Sequence, residues 1–371
     1  MQFDQMKNKI THFILILLIT GSLYSCKVGR FFVYNFADIS DYKKFPSREI
    51  KNDSAIFTFS EYQDEIIPEV YSTKDTLLEP YFEDEKTVAF IIIHNDTIKY
   101  ERYFEGYDET SIVPSFSMAK SVLSILIGCA IDDGLIQSTN EPVTNYIPEL
   151  KENGFDKVTI LHLLQMTSGL KFNEGYFNPF GEVATFYYGT NLRKAIAKSE
   201  LEVEPGERFD YVSGNPQILG LVLERALKDK TISEYFQEKL WTPLGMEYDA
   251  SWSIDRKKNG LEKTFCCINA RARDFAKIGR LYLNKGNWNG EQIVPENWVS
   301  ESTKVDTTGG SVWYYQYQWW LPSLDGDFVA EGILGQFIYV NPTKDLIIVR
   351  LGKKHGDVNW AGLFVELASG Y

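Results

Sequence analysis

Strand-like stretches sit only near the two ends of this chain's main body, and the span between them is patterned mostly as helix. Val88-Ala-Phe-Ile-Ile-Ile-His94, a turn at Asn95-Asp96 and Thr97-Ile-Lys-Tyr-Glu-Arg-Tyr-Phe104 read as one β-hairpin. Gln336-Phe-Ile-Tyr-Val-Asn341, a turn over Pro342-Thr-Lys-Asp345 and Leu346-Ile-Ile-Val-Arg-Leu351 read as a second. A closing helix is expected from near Trp360 to Ala368, and helical patterns cover 157–165, 216–228, 232–240 and 270–284. This arrangement predicts an α/β fold of the α+β type. Its antiparallel sheet is built from N- and C-terminal strands, flanked by helices, with an inserted, mostly helical lobe. The chain has 371 residues, 44% of them hydrophobic and 15% aromatic, ample for a large packed core.

The N-terminus reads as an export signal. Lys7 and Lys9 precede the apolar run 13–19, and a small-residue stretch follows, Gly21-Ser22-Leu23-Tyr24-Ser25-Cys26. The run is too short to favour a spanning helix. Leu23-Tyr24-Ser25-Cys26 resembles a bacterial lipobox, in which Cys26 would carry lipid. An ordinary signal peptide with an incidental cysteine is the alternative. Residues 1–26 are thus expected to be a lipoprotein-type signal peptide, 27–85 an N-terminal extension and 86–371 the main folded domain. The protein is expected on the periplasmic side, with a bacterial membrane as partner through a lipid anchor.

A net charge of −13, without a basic tract, argues against nucleic acid as a partner. Cys129 lies in an apolar helix and is expected to be a buried free thiol. A bridge between the adjacent Cys266 and Cys267 would be strained. Four histidines and the absence of Cys-x-x-Cys or His-Glu-x-x-His spacing give no reason to expect a metal. No organic cofactor is implied either.

The chemistry centres on Ser117-Met118-Ala119-Lys120, which opens a helix continued by the apolar run 122–131. Residues three apart share a helix face, so the serine oxygen and lysine amine can meet. A lysine buried beside a helix N-terminus tends to lose its proton, and the free N–H groups there favour an oxyanion. The plain alternative is a capping serine and a snorkelling lysine. Ser40-Asp-Tyr-Lys43 and Ser168-Gly-Leu-Lys171 share the spacing by chance. A second segment, Pro205-Gly-Glu-Arg-Phe-Asp-Tyr211-Val-Ser213-Gly, places a tyrosine before a helix start. Near a lysine ammonium, that phenol would lose its proton more readily, drawing the serine proton and later returning one to the leaving group.

Ser117-x-x-Lys120 together with Tyr211-x-Ser213 resembles the class C β-lactamase-related serine hydrolases, which include penicillin-binding esterases and 6-aminohexanoate-dimer hydrolases. Val158-Thr-Ile-Leu-His-Leu-Leu-Gln-Met-Thr-Ser-Gly-Leu170, Trp241-Thr-Pro-Leu-Gly-Met246 and Gly332-Ile-Leu-Gly-Gln-Phe-Ile-Tyr-Val-Asn-Pro342 are similar to further family segments. The resemblance implies that Ser117 is the nucleophile, Lys120 its base and Tyr211 the proton shuttle. It places the site-closing strand at Ala330-Glu331-Gly332, with Ile333 N–H as a second oxyanion donor.

Two departures stand out. Ser213 occupies a position where the family often has asparagine, and no cation stands at Ala330. Both weaken a lactamase or cell-wall peptidase reading. The loop 171–190 is rich in aromatics and most resembles the 6-aminohexanoate-dimer hydrolase branch. That likeness makes Tyr176 and Glu182 the candidates for contacting an amino-terminated substrate. The expected function is hydrolysis of a small-molecule or peptide-like ester or amide through an acyl-enzyme on Ser117. A penicillin-binding or β-lactamase-like enzyme acting on cell-wall peptides is one alternative, and a non-catalytic binding or sensor protein of the same fold is the other.

Overall fold

The computed structural model describes residues 27–34, 36–53, 55–61 and 78–371. The signal-peptide expectation and Cys26 lie outside them. The two hairpins, distant in sequence, meet in one sheet. Leu346–Gly352 pairs antiparallel with Thr87–His94, bringing Ile347 opposite Ile93 and Val349 opposite Ile91. The eight strands run in the order Tyr315–Gln316, Trp319–Trp320, Phe328–Gly332, Gln336–Asn341, Leu346–Gly352, Thr87–His94, Thr97–Tyr103 and Ser60–Glu61. The last of these pairs parallel, so the sheet is mixed at that edge rather than wholly antiparallel.

Both faces of this sheet are covered, which is why its central strands are apolar without a break. Ile91, Ile93, Ile338, Val340, Ile347 and Val349 face the larger core, against the helices Met118–Asp132 and Ala272–Leu283. Phe90, Ile92, Phe337, Tyr339 and Ile348 face a second core closed by Leu78–Asp84 and Trp360–Ser369. Period-2 alternation thus sorts β-branched residues largely to one side and aromatics largely to the other. Gly279 allows the Ala272–Leu283 helix to lie close. A Cβ there would come 2.9 Å from Ile347 Cγ2 and 3.0 Å from Ile338 Cγ2.

A second sheet was not anticipated. Ser47–Ile50, Ala250–Ser253, Ile268–Ala270 and Val113–Pro114 form it in that order. Strands of two to four residues carry too little periodicity to read. Other elements contract. The pattern at 157–165 yields a helix only over Ile160–Leu164, where Thr159 and His162 form a reciprocal cap. The pattern at 232–240 becomes Ile232–Phe236 followed by a π turn over Gln237–Trp241. The N-terminal extension is bound to the body. Its helix Lys27–Tyr34 donates from Arg30 Nη1 to the Tyr188 carbonyl at 3.0 Å, and Phe31 packs edge-on to Tyr188.

Candidate active site

Val113–Pro114 delivers the chain from the small sheet into a turn pinned at Ser115. Its N–H donates to the Ile268 carbonyl at 2.7 Å, and its hydroxyl oxygen accepts from Ile268 N–H at 3.0 Å. Phe116 then takes a φ of +43°, a strained conformation for a bulky side chain that persists only under firm support. Ser117 follows at the helix N-cap, yet its side chain makes no capping hydrogen bond. The hydroxyl is left for Lys120, whose Nζ lies 2.7 Å away.

Lys120 is only 1% exposed. Its Nζ also donates to the Phe265 carbonyl at 2.9 Å and sits 5.1 Å from the centre of the Tyr211 ring. Burial lowers the lysine to about 8, while Glu174 pulls the other way. Nζ donates to both the Ser117 hydroxyl oxygen and the Phe265 carbonyl, so an amine that loses a proton while keeping the Phe265 bond has a lone pair to turn to that hydroxyl. Neither the capping nor the snorkelling alternative describes this pair.

Tyr211 differs from its sequence expectation. Burial pushes its phenol well above the usual tyrosine range, contact with the Ser117 hydroxyl offsets this in part, and Glu174 and Glu331 add to the rise. The phenol therefore keeps its proton at neutral pH. Its ring is fixed by Trp320 at 5.2 Å and Tyr315 at 5.8 Å.

Ser213 precedes the helix Gly214–Leu227 and is buried. Its N–H and hydroxyl both donate to the Glu174 carboxylate, at 2.8 and 2.6 Å, and Tyr176 OH reaches the same group at 3.1 Å. A carboxylate at a helix N-terminus is favoured by the free N–H groups there. Glu182, the expected acid, lies elsewhere. It is exposed in the first turn of Glu182–Tyr188, where its carboxylate accepts the Asn173 N–H at 3.2 Å. Glu174 is the acid that acts electrostatically on Lys120 and Tyr211, from behind Ser213 and Tyr176. The sequence signal for it was slight, a glutamate two residues before Tyr176 in an irregular loop.

The Phe328–Gly332 strand ends against the nucleophile turn. A Cβ on Gly332 would meet the Ser115 carbonyl oxygen at 2.4 Å and Ser117 N at 3.0 Å. Ile333, the next residue, lines the cleft with Ser117. Two arms of the cleft join at Ser117. The apolar arm, about 230 Å³, is walled by Phe36, Phe116, Phe177, Val183, Tyr187 and Leu334. The other, about 220 Å³, is walled by Tyr176, Tyr211, Trp320, Glu331 and His355. Burial raises the Glu331 carboxyl, with His355 opposing.

Cys266 and Cys267, where a bridge was expected to be strained, are nevertheless disulfide-bonded, and Cys266 lines the apolar arm. Cys129 is buried and free.

The sequence pattern of the β-lactamase family matches residues 75–361. A 6-aminohexanoate-dimer hydrolase from Paenarthrobacter ureafaciens is 27% identical over 300 residues, covering 74% of each chain. A solved structure from Bacillus anthracis, described as a candidate 6-aminohexanoate-dimer hydrolase, superposes with a TM-score of 0.78. It is 25% identical, over 90% of this chain and 92% of that one. A family VIII carboxylesterase shares the fold with a TM-score of 0.61 at 19% identity, over 78% of this chain and 94% of its own. With the family pattern spanning most of its length, this chain belongs to the β-lactamase family.

Proposed function

We propose that the protein is a serine hydrolase that cleaves an ester or amide through an acyl-enzyme on Ser117. The observation that carries this reading is the 2.7 Å approach of Lys120 Nζ to Ser117 Oγ, with the amine buried and oriented by the Phe265 carbonyl. Neutral Lys120 takes the serine proton as Oγ attacks the substrate carbonyl carbon. The resulting oxyanion sits between the Ser117 and Ile333 amides. The protonated Tyr211 then donates to the leaving alkoxide or amine and recovers a proton from Lys120, leaving the acyl group on Ser117. Water attacks that ester by the same steps in reverse order, and the acid product leaves.

The names of the relatives, a dimer hydrolase and a carboxylesterase, support amide and ester substrates alike. Tyr176, which lines both arms of the cleft and is backed by Glu174, supports contact with a hydrogen-bonding part of the substrate better than the exposed Glu182 does. Glu331 stands against a carboxylate-bearing one, which disfavours the cell-wall peptide alternative. Export and lipid anchoring at Cys26 complete the reading, on the strength of the N-terminal pattern.

A fluorophosphonate, which phosphonylates only activated serines, tests the mechanism by intact mass. One adduct is expected on the parent and none on Ser117→Ala, with ester turnover falling roughly a thousandfold or more in the variant. A folded parent that takes no adduct would overturn the reading in favour of a binding protein.

A further inference from the structure

Of the large apolar side chains that the described residues leave exposed, nearly half fall in two short stretches: Phe32, Val33 and Phe36, and Tyr176, Phe177 and Phe180. The stretches touch. Phe36 packs edge-on to Phe177 at 5.2 Å, and Phe31 links Phe36 to Phe32. Phe36, Tyr176 and Phe177 also line the apolar arm, so three of these six exposed side chains stand at the cleft that holds Ser117. Single exposed apolar residues need no explanation, but a contiguous patch at a cleft mouth does.

Beside this patch the charge reverses. Arg30, Lys43, Lys44, Arg256 and Lys257 surround one surface hollow in a chain whose net charge is −13. Its single lining carboxylate, Asp255, is occupied by the N–H groups of Leu192 and Leu261. Lys44 is paired with Asp41. Nε of Arg30 and of Arg256 are buried without a hydrogen-bond partner among the described residues. Phe45, which lines the hollow, packs on Tyr187 and Tyr188, which line the apolar arm, and Lys27, the residue after Cys26, lies in the helix that carries Phe31 and Phe32.

We infer that this face docks on a bilayer containing anionic phospholipid, with the rings in the interface and the basic groups on headgroup phosphates. Aromatic insertion with a basic rim is the chemistry of interfacial binding, and it supplies the second signal that stable anchoring through lipid requires. The entrance of the apolar arm then opens at the membrane. On the acyl-enzyme reading of Ser117, the substrate class becomes esters or amides carrying an apolar chain drawn from the lipid phase.

Unlipidated protein starting at Lys27, checked by a cooperative thermal melt, would be centrifuged with two sets of vesicles. One contains phosphatidylglycerol with phosphatidylethanolamine, the other phosphatidylcholine alone. Sedimentation is expected with the first set, reduced by salt, and weakly with the second. Phe32→Ser with Phe180→Ser, and separately Lys43→Glu with Lys257→Glu, should each cut the bound fraction about tenfold. Both should keep the parent's turnover of a short water-soluble ester. A parent that stays in the supernatant with both sets, or variants that sediment like the parent, would overturn the inference. So would a dimer dissociated by Phe32→Ser with no vesicle uptake, which would assign the face to a second copy. Docking without any adduct at Ser117 would sink the hydrolase reading alone.

Discussion

At the scale of the residue, the proposed mechanism turns on where one lysine keeps its proton. Only the neutral amine of Lys120 can accept from Ser117, so the reactive fraction grows as pH rises through the lysine's value of about 8. Fluorophosphonate inactivation is expected to accelerate across that point and level off above it. Glu174 favours the ammonium, so Glu174→Gln should move the rising limb to lower pH. The measurement is the inactivation rate against pH for both proteins. Coincident midpoints would mean that Glu174 does not act on the lysine. The Ser117–Lys120 spacing was plain in the sequence because it is a local, helical relation. Glu174 was not, because its partnership with Ser213 joins an irregular loop to a helix start 39 residues away. Tyr211 shows a different limit. Its position was legible, but its protonation depends on burial that residue order does not report.

At the scale of the element, the Phe328–Gly332 strand carries Glu331 into the cleft and, on the proposed mechanism, sets the oxyanion site. Gly332 lies so close to the Ser115 carbonyl that a methyl group there must push the strand away from Ser117. Gly332→Ala is expected to lower kcat by about a hundredfold, because a displacement of about an ångström is enough to misalign the reacting atoms. Unchanged kcat would remove Ile333 from the oxyanion site. The preceding residue tests selectivity. Glu331→Lys should raise the rate of acylation by a carboxylate-bearing penicillin relative to a neutral ester, reading the ratio of kcat/KM values. A ratio that does not move would show that Glu331 stays clear of the substrate. The long hairpins were legible, since near-unbroken runs of β-branched and aromatic residues, six to eight long and joined by turn residues, read as strands. The small sheet was not, and it is the small sheet that carries Val113–Pro114 into the nucleophile turn.

At the scale of the whole molecule, the two sheets meet at that turn. Gly332 of the large sheet abuts Ser115, while Ile268 of the small sheet holds Ser115 by two hydrogen bonds. The disulfide-bonded Cys266 and Cys267 sit between Phe265, whose carbonyl orients Lys120, and the Ile268–Ala270 strand. Trp252 Nε1 donates to the Cys266 carbonyl at 2.9 Å, and the Cys267 carbonyl accepts from Ser253 N–H at 3.0 Å. The bridge therefore lies in the short connection between Phe265, which holds Lys120, and the sheet that holds Ser115. Cys266→Ser with Cys267→Ser should keep the fold, because the backbone hydrogen bonds and the buried Trp252 remain. It should lower kcat several-fold and shift the pH limb of Lys120, since a looser Phe265 carbonyl no longer fixes the amine. Treating the parent with a small dithiol should reproduce both changes, and reoxidation should reverse them. A fall in thermal stability with an unaltered pH profile would reduce the bridge to a structural tie, remote from the chemistry.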